Sequence, residues 1–229
     1  MKRFAVLLIL TAALPLVAKV YWPGTGRGGA AGSPRRSFAE ESGARHQMTE
    51  PVIFNGVSAE VHVYRLPRNL TQFLEELHRR YPELVIRKNA GGMLLHWPGA
   101  KNWRERVLLV AVPGSDVITA FAIRLPEKMP PMPPWPAEMP PVSGAELQEV
   151  MVFPERHSVV VNFSGAANRE TALQQGNTWL LSRGFAPVTG EALSPGGSGE
   201  IYRNSKTGEL FLFTVSADGH GTMMRSRTK

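Results

Sequence analysis

Residues 51–66 read PVIFNGVSAEVHVYRL, two β-rich arms on either side of Asn55-Gly56. Asn and Gly accept the positive φ that a two-residue hairpin turn demands, so Pro51–Phe54 and Val57–Leu66 are expected to pair as antiparallel strands. A helix should follow. Asn69 is a good N-cap, and Leu70, Phe73, Leu74, Leu77 and Tyr81 recur at helical spacing, with Glu75/Arg79 and Glu76/Arg80 four apart on another face. Pro82 ends that pattern. Four strand candidates come next, Leu84–Arg87, Met93–Trp97, Arg106–Val112 and Val117–Leu125, separated by Gly91-Gly92, Pro98-Gly99 and Pro113-Gly114-Ser115-Asp116.

The same order returns further along. Gln148–Phe153, a turn at Pro154–Arg156 and His157–Phe163 precede a helix capped by Asn168 and closed by Gly184, with Ala172, Leu173, Gly176, Trp179 and Leu180 on one face. Glu200–Asn204, Leu210–Ser216 and Thr222–Arg227 then read as strands. Sliding the chain by 103 residues lays Val107–Arg124 on Leu210–Arg227 without a gap. The expected fold class is therefore α+β: two related modules in β-β-α-β-β-β-β order, each a mostly antiparallel sheet with one amphipathic helix, arising by internal duplication. Val107–Val112 and Leu210–Val215 are almost continuously apolar, which predicts central strands covered on both faces, by the other half, within one long sheet, or by a partner protein.

Before the hairpin the composition changes twice. Lys2 and Arg3 precede an uncharged, mostly apolar run, Phe4–Ala18. At about 1.5 Å per residue a fifteen-residue run spans roughly 22 Å, short of a bilayer core of about 30 Å but suited to a signal peptide. Ala18 in Leu16-Val17-Ala18 offers a weak cleavage site, whereas snorkelling of Lys19 with Tyr21 and Trp22 at the interface would make a single anchor. Residues 1–22 are thus read as signal peptide or anchor, with the body translocated. Residues 23–50, Gly/Ala/Arg-rich at the start, are read as a flexible tether. Glu127–Pro141, EKMPPMPPWPAEMPP, is a Pro-rich linker, either a polyproline II spacer or an ordered strap. The modules are then 51–126 and 142–229.

Of the 229 residues, 43% are hydrophobic and 20% charged, an ordinary globular balance, and none is cysteine. That excludes disulfides, thiolate metal sites, thiol nucleophiles and a lipidated cysteine anchor. Gly24-Thr25-Gly26-Arg27-Gly28-Gly29 has dinucleotide-loop spacing but follows the leader rather than a strand, and reads as linker. His46, His62, His78, His96, His157 and His220 show no i,i+4 pairing, so a metal site could arise only through folding; no metal or cofactor is assigned. Asp218-Gly219-His220-Gly221 reads as a hairpin loop rather than an acid–base pair. Ser158 adjoins His157, yet neighbours on a strand face opposite sides. Asn69 and Asn162 begin glycosylation tripeptides and are better read structurally.

Charge gives the remaining clue. Residues 51–128 carry eleven basic and seven acidic side chains, net +4, whereas residues 142–229 carry eight of each. Arg79, Arg80, Arg87, Lys88, Lys101, Trp103, Arg104 and Arg106 form the candidate anion- or partner-binding patch. Nucleic acid is not an expected partner, because seven of the basic residues lie in the first fifty and export would separate the protein from it. The expectation is an exported or membrane-anchored, noncatalytic binding or assembly protein of the bacterial cell envelope. It would sit in the periplasm or on the extracytoplasmic face of the inner membrane, with another envelope protein as partner and contacts to anionic lipid or glycan. The alternatives are an exported hydrolase whose site lies between the modules, including His62, His96 or Asp218, and a periplasmic chaperone or inhibitor.

Overall fold

The computed structural model describes residues 36–82, 84–89, 92–98, 103–111, 116–188 and 198–227. The leader, and the tether up to residue 35, lie outside them. A five-residue helix, α1 (Phe38–Ser42), precedes the hairpin of β1 (Arg45–Phe54) and β2 (Val57–Leu66). Asn55 and Gly56 both take positive φ, 49° and 82°, as the two-residue turn requires. Helix α2 (Leu70–Arg80) follows, with Asn69 Oδ1 accepting the Thr71 amide at 2.9 Å and Pro82 just beyond its end. Then come β3 (Val85–Asn89), β4 (Gly92–Pro98), β5 (Trp103–Ala111) and β6 (Ile118–Pro126). The second half supplies β7 (Glu146–Phe153), β8 (Ser158–Ser164), α3 (Arg169–Ser182), β9 (Phe185–Pro187), β10 (Ser198–Asn204), β11 (Glu209–Val215) and β12 (Gly221–Arg227). The described residues are mostly antiparallel sheet, with twelve strands and three α-helices.

The chain forms two compact units. Among the described residues, one holds 36–51 together with Ala59–Met129, and the other holds Val52–Ser58 and the residues from Pro130 onward. The boundary therefore differs from a cut at the Pro-rich segment alone, because the tip of the β1–β2 hairpin belongs with the second unit, where Ile53 pairs with Val152 and Phe54 with Met151. Strand order in the first unit is β3-β4-β5-β6-β2-β1, and in the second β9-β10-β11-β12-β8-β7.

In the first unit α2 lays Phe73 and Leu77 on a core of Tyr64, Leu66, Leu95, Trp97, Val107, Leu109 and Ala120. In the second, Ala172, Gly176 and Leu180 of α3 face Phe163, Phe211, Phe213 and Met223. The opposite faces of the central strands are buried as well, with Leu108 at 3% and Leu212 at 6% exposure, in line with their unbroken apolar runs. Glu127–Pro141 is a strap rather than a free spacer over its later part: Met139 is buried in the second core and the Trp135 ring lies 6.0 Å from Phe163.

Two expectations need correcting. Residues 36–50 are not tether. Ser37 and Glu40 form a reciprocal capping box, Phe38 is fully buried against Trp97 and Phe73, and β1 begins at Arg45. The stretch 45–51 is mostly exposed and carries no apolar period, which is why it read as linker. The gapless slide of 103 residues also holds on only one of its two strands: it lays Ala120 of β6 on Met223 of β12, both in helix-side cores, but is out of step by one on β5 and β11. Ala111 pairs with Ile118 across six intervening residues, whereas Val215 pairs with Gly221 across five. Val107 and Leu109 face the helix-side core of the first unit, and in the second that face is taken by Phe211 and Phe213 rather than by Leu210 and Leu212.

Candidate functional site

The predicted basic patch divides according to strand geometry. Consecutive strand positions fall on opposite faces, so Trp103 shares the helix-covered face with Glu105 and Val107, while Arg104 and Arg106 lie on the other. Along β3, Arg87 registers with Leu94 and Lys88 with Met93. Arg79 and Arg80 close α2, and Arg80 bonds Glu76 at 2.7 Å. Arg104 bonds Glu127 at 3.5 Å. Lys101 lies outside the described residues.

What folding does assemble is a pair of polar groups on the first unit. Glu105 is almost fully buried; its carboxylate accepts the Phe38 amide at 2.8 Å and Arg124 Nε at 2.9 Å. Arg124 in turn lies 4.7 Å above the Trp103 ring and remains half exposed. A buried carboxylate thus fixes a surface guanidinium over an indole, a cation–aromatic arrangement with little freedom left to lose on binding.

The second group is built on β1 and β2. Thr49 Oγ1 lies 2.8 Å from His46 Nε2 and 3.0 Å from His62 Nδ1, and the Glu60 carboxylate stands 3.4 Å from His62 Nε2. Tyr64 holds both rings: the His46 ring meets it edge-on at 5.6 Å and the His62 ring is tilted at 6.2 Å. Burial depresses the His62 pKa, only partly countered by Glu60, so the ring is neutral at neutral pH. The Tyr64 hydroxyl is pushed up by burial. One hydroxyl between two imidazoles can relay a proton or take part in ligating a cation. Sequence reading missed this group because His46 and Thr49 fall in the supposed tether. Its only trace was Glu60, His62 and Tyr64 alternating along one strand.

Other candidates resolve into structure. Asp218 and His220 stand 3.7 Å apart in a hairpin loop closed by the Ser216 amide on His220 O at 2.7 Å. The Ser216 hydroxyl donates to Asp218 and holds its carboxyl below the usual range. Ser158 is fully buried and donates to Ser226 at 2.9 Å. Asn162 is buried between Glu149 and Thr222. His96 sits on β4 in register with Arg106. An open cleft of about 610 Å³ beside the α2 N-terminus includes Arg68, already bound to Glu76 at 2.8 Å. Among the described residues, no three His, Asp or Glu side chains converge as a metal cage. Comparison with protein-family models, with curated proteins and with solved structures gives no match.

Proposed function

We propose that this chain is an exported or membrane-anchored, noncatalytic binding and assembly protein of the bacterial cell envelope, built from two α+β modules that arose by duplication. The duplication is supported by strand order: matching β1–β6 to β7–β12 one for one turns one unit's order into the other's, helix included. Two such modules by chance would rarely share an order in which the last strand is inserted between the second and the fifth. The leader supports export and reaches the folded body through the residues that precede Ser37.

The observation that carries the binding reading is the Arg124–Trp103 pair. Arg and Trp dominate interface hot spots, and a stacked pair held from below by Glu105 presents cationic and aromatic surface together. The net +4 of residues 51–128 favours a partner with an acidic surface, another envelope protein, with anionic lipid or glycan nearby.

Crosslinking in native envelopes tests this. The expected result is one discrete protein partner, lost on Trp103→Ala while circular dichroism stays unchanged; recovery of self-contacts alone would count against the reading. Intact mass in membrane and soluble fractions tells anchor from cleaved leader.

A further inference from the structure

We propose that residues 128–134, Lys-Met-Pro-Pro-Met-Pro-Pro, are a polyproline II docking segment for a partner domain that reads such segments in an aromatic-lined groove with an acidic pocket at one end. This contact surface uses neither Trp103 nor Arg124 and does not depend on the binding reading above. Its basis is a match between sequence and exposure. Proline fixes its own φ near about −65° and keeps the residue before it out of the helical region, so Met129–Pro136 is held extended, with no helix or strand along it. A polyproline II chain repeats about every third residue. Counting in threes from Lys128, Pro131, Pro134 and Ala137 are all exposed, as is Lys128 itself. The other two edges are mixed: Met129, Trp135, Pro133 and Pro136 are half-buried, and Met132 and Pro130 are exposed. Lys-x-x-Pro-x-x-Pro therefore runs along the one consistently open edge.

That spacing suits a groove. Pro130-Pro131 and Pro133-Pro134 each offer a flat apolar pair to aromatic side chains, and Lys128, one turn ahead, is placed to meet a carboxylate. Among the described residues no hydrogen bond engages the backbone of residues 130–134, so their carbonyls are open to donors from the groove. The segment is also ordered in advance. Its far end is fixed where the Trp135 ring packs 6.0 Å from Phe163, the Met139 amide donates to Pro136 O at 3.0 Å, and Met139 is buried in the second core. Ordering already completed by folding is not lost again on binding, which favours affinity. A strap needs Trp135 and Met139; that role gives no reason for Lys128, Pro131 and Pro134 to share the open edge.

The probe is a recombinant SH3 domain that takes basic-x-x-Pro-x-x-Pro ligands, isotope-labelled and titrated by nuclear magnetic resonance with the full-length chain in detergent. Shifts confined to its aromatic groove are expected. Pro131→Ala and Pro134→Ala should each weaken binding about tenfold or more, and Lys128→Glu several-fold, whereas Met132→Ala and Trp103→Ala should leave it unchanged. The altered residues are exposed, so circular dichroism and Tm should match the parent. In native envelopes, a photoreactive phenylalanine at position 132 should crosslink to one discrete protein, and the product should vanish when Pro131→Ala and Pro134→Ala are combined. No shift up to millimolar chain, equal weakening by Met132→Ala and Pro131→Ala, or a crosslink that is absent, confined to second copies of the chain, or retained in the double variant would each overturn the proposal.

Discussion

Asn55 and Val150 exchange two hydrogen bonds: the Asn55 amide donates to Val150 O at 2.8 Å, and Asn55 Oδ1 accepts the Val150 amide at 2.6 Å. The asparagine that makes the β1–β2 turn also docks that turn on β7, within one compact unit.

Asn55→Gly keeps the left-handed backbone and removes only the side-chain acceptor, stranding a buried amide. It should cost about 1–3 kcal/mol in urea unfolding. Asn55→Ala adds the left-handed penalty of about 1 kcal/mol and should be worse. Equal stability of Asn55→Gly and the parent would show that the side-chain bond contributes nothing net.

The turn, both asparagine caps and both helix faces were legible in the sequence because each rests on local chemistry. Asn69 and Asn168 accept amides two residues ahead, and Phe73 and Leu77 repeat at helical spacing. Helix α1 and the start of β1 were not, since their reasons are distant. Phe38 is ordered by Trp97, Phe73 and Glu105, between 35 and 67 residues away. Three-residue β9 exists only as a pairing with β10, for example Ala186 with Arg203. Arg104 and Arg106 fall on the face opposite Trp103 because proximity along a strand separates neighbours between faces, whereas His46 and His62 meet because their strands lie side by side.

Glu105 fastens α1 to the sheet, so its removal should release the N-terminal turn before it unfolds the unit. Glu105→Ala deprives the Phe38 amide and Arg124 of a buried partner, at a cost of about 3 kcal/mol. Hydrogen exchange at residues 38–44 should accelerate more than at Val107–Leu109. Uniform acceleration would mean that α1 is not held separately.

Gly176 sits mid-helix, where Ala ordinarily gains about 1 kcal/mol. Here a Cβ would run into the Phe213 ring at Cε1, and that ring is fully buried. Overpacking of this kind costs about 1–3 kcal/mol or more, so Gly176→Ala should lower Tm despite the better propensity. A raised Tm would mean that the Phe213 ring yields freely.

Glu209, the first residue of β11, links acid sensitivity to the second unit. Burial pushes its pKa up, but hydrogen bonds from Arg227 Nε and Arg225 Nη2, both at 2.9 Å, more than offset this and hold the carboxyl below its usual range. A carboxylate with a depressed folded pKa contributes stability that is complete above its unfolded value, near 4.5, and is lost as pH falls through the folded value. Both arginines are partly exposed, so screening limits the contribution to about 1 kcal/mol at neutral pH. Glu209→Gln should therefore be less stable than the parent at pH 7 and approach it near pH 3, with a shallower decline between. A constant gap across that range would show that Glu209 acts through shape alone rather than through its charge.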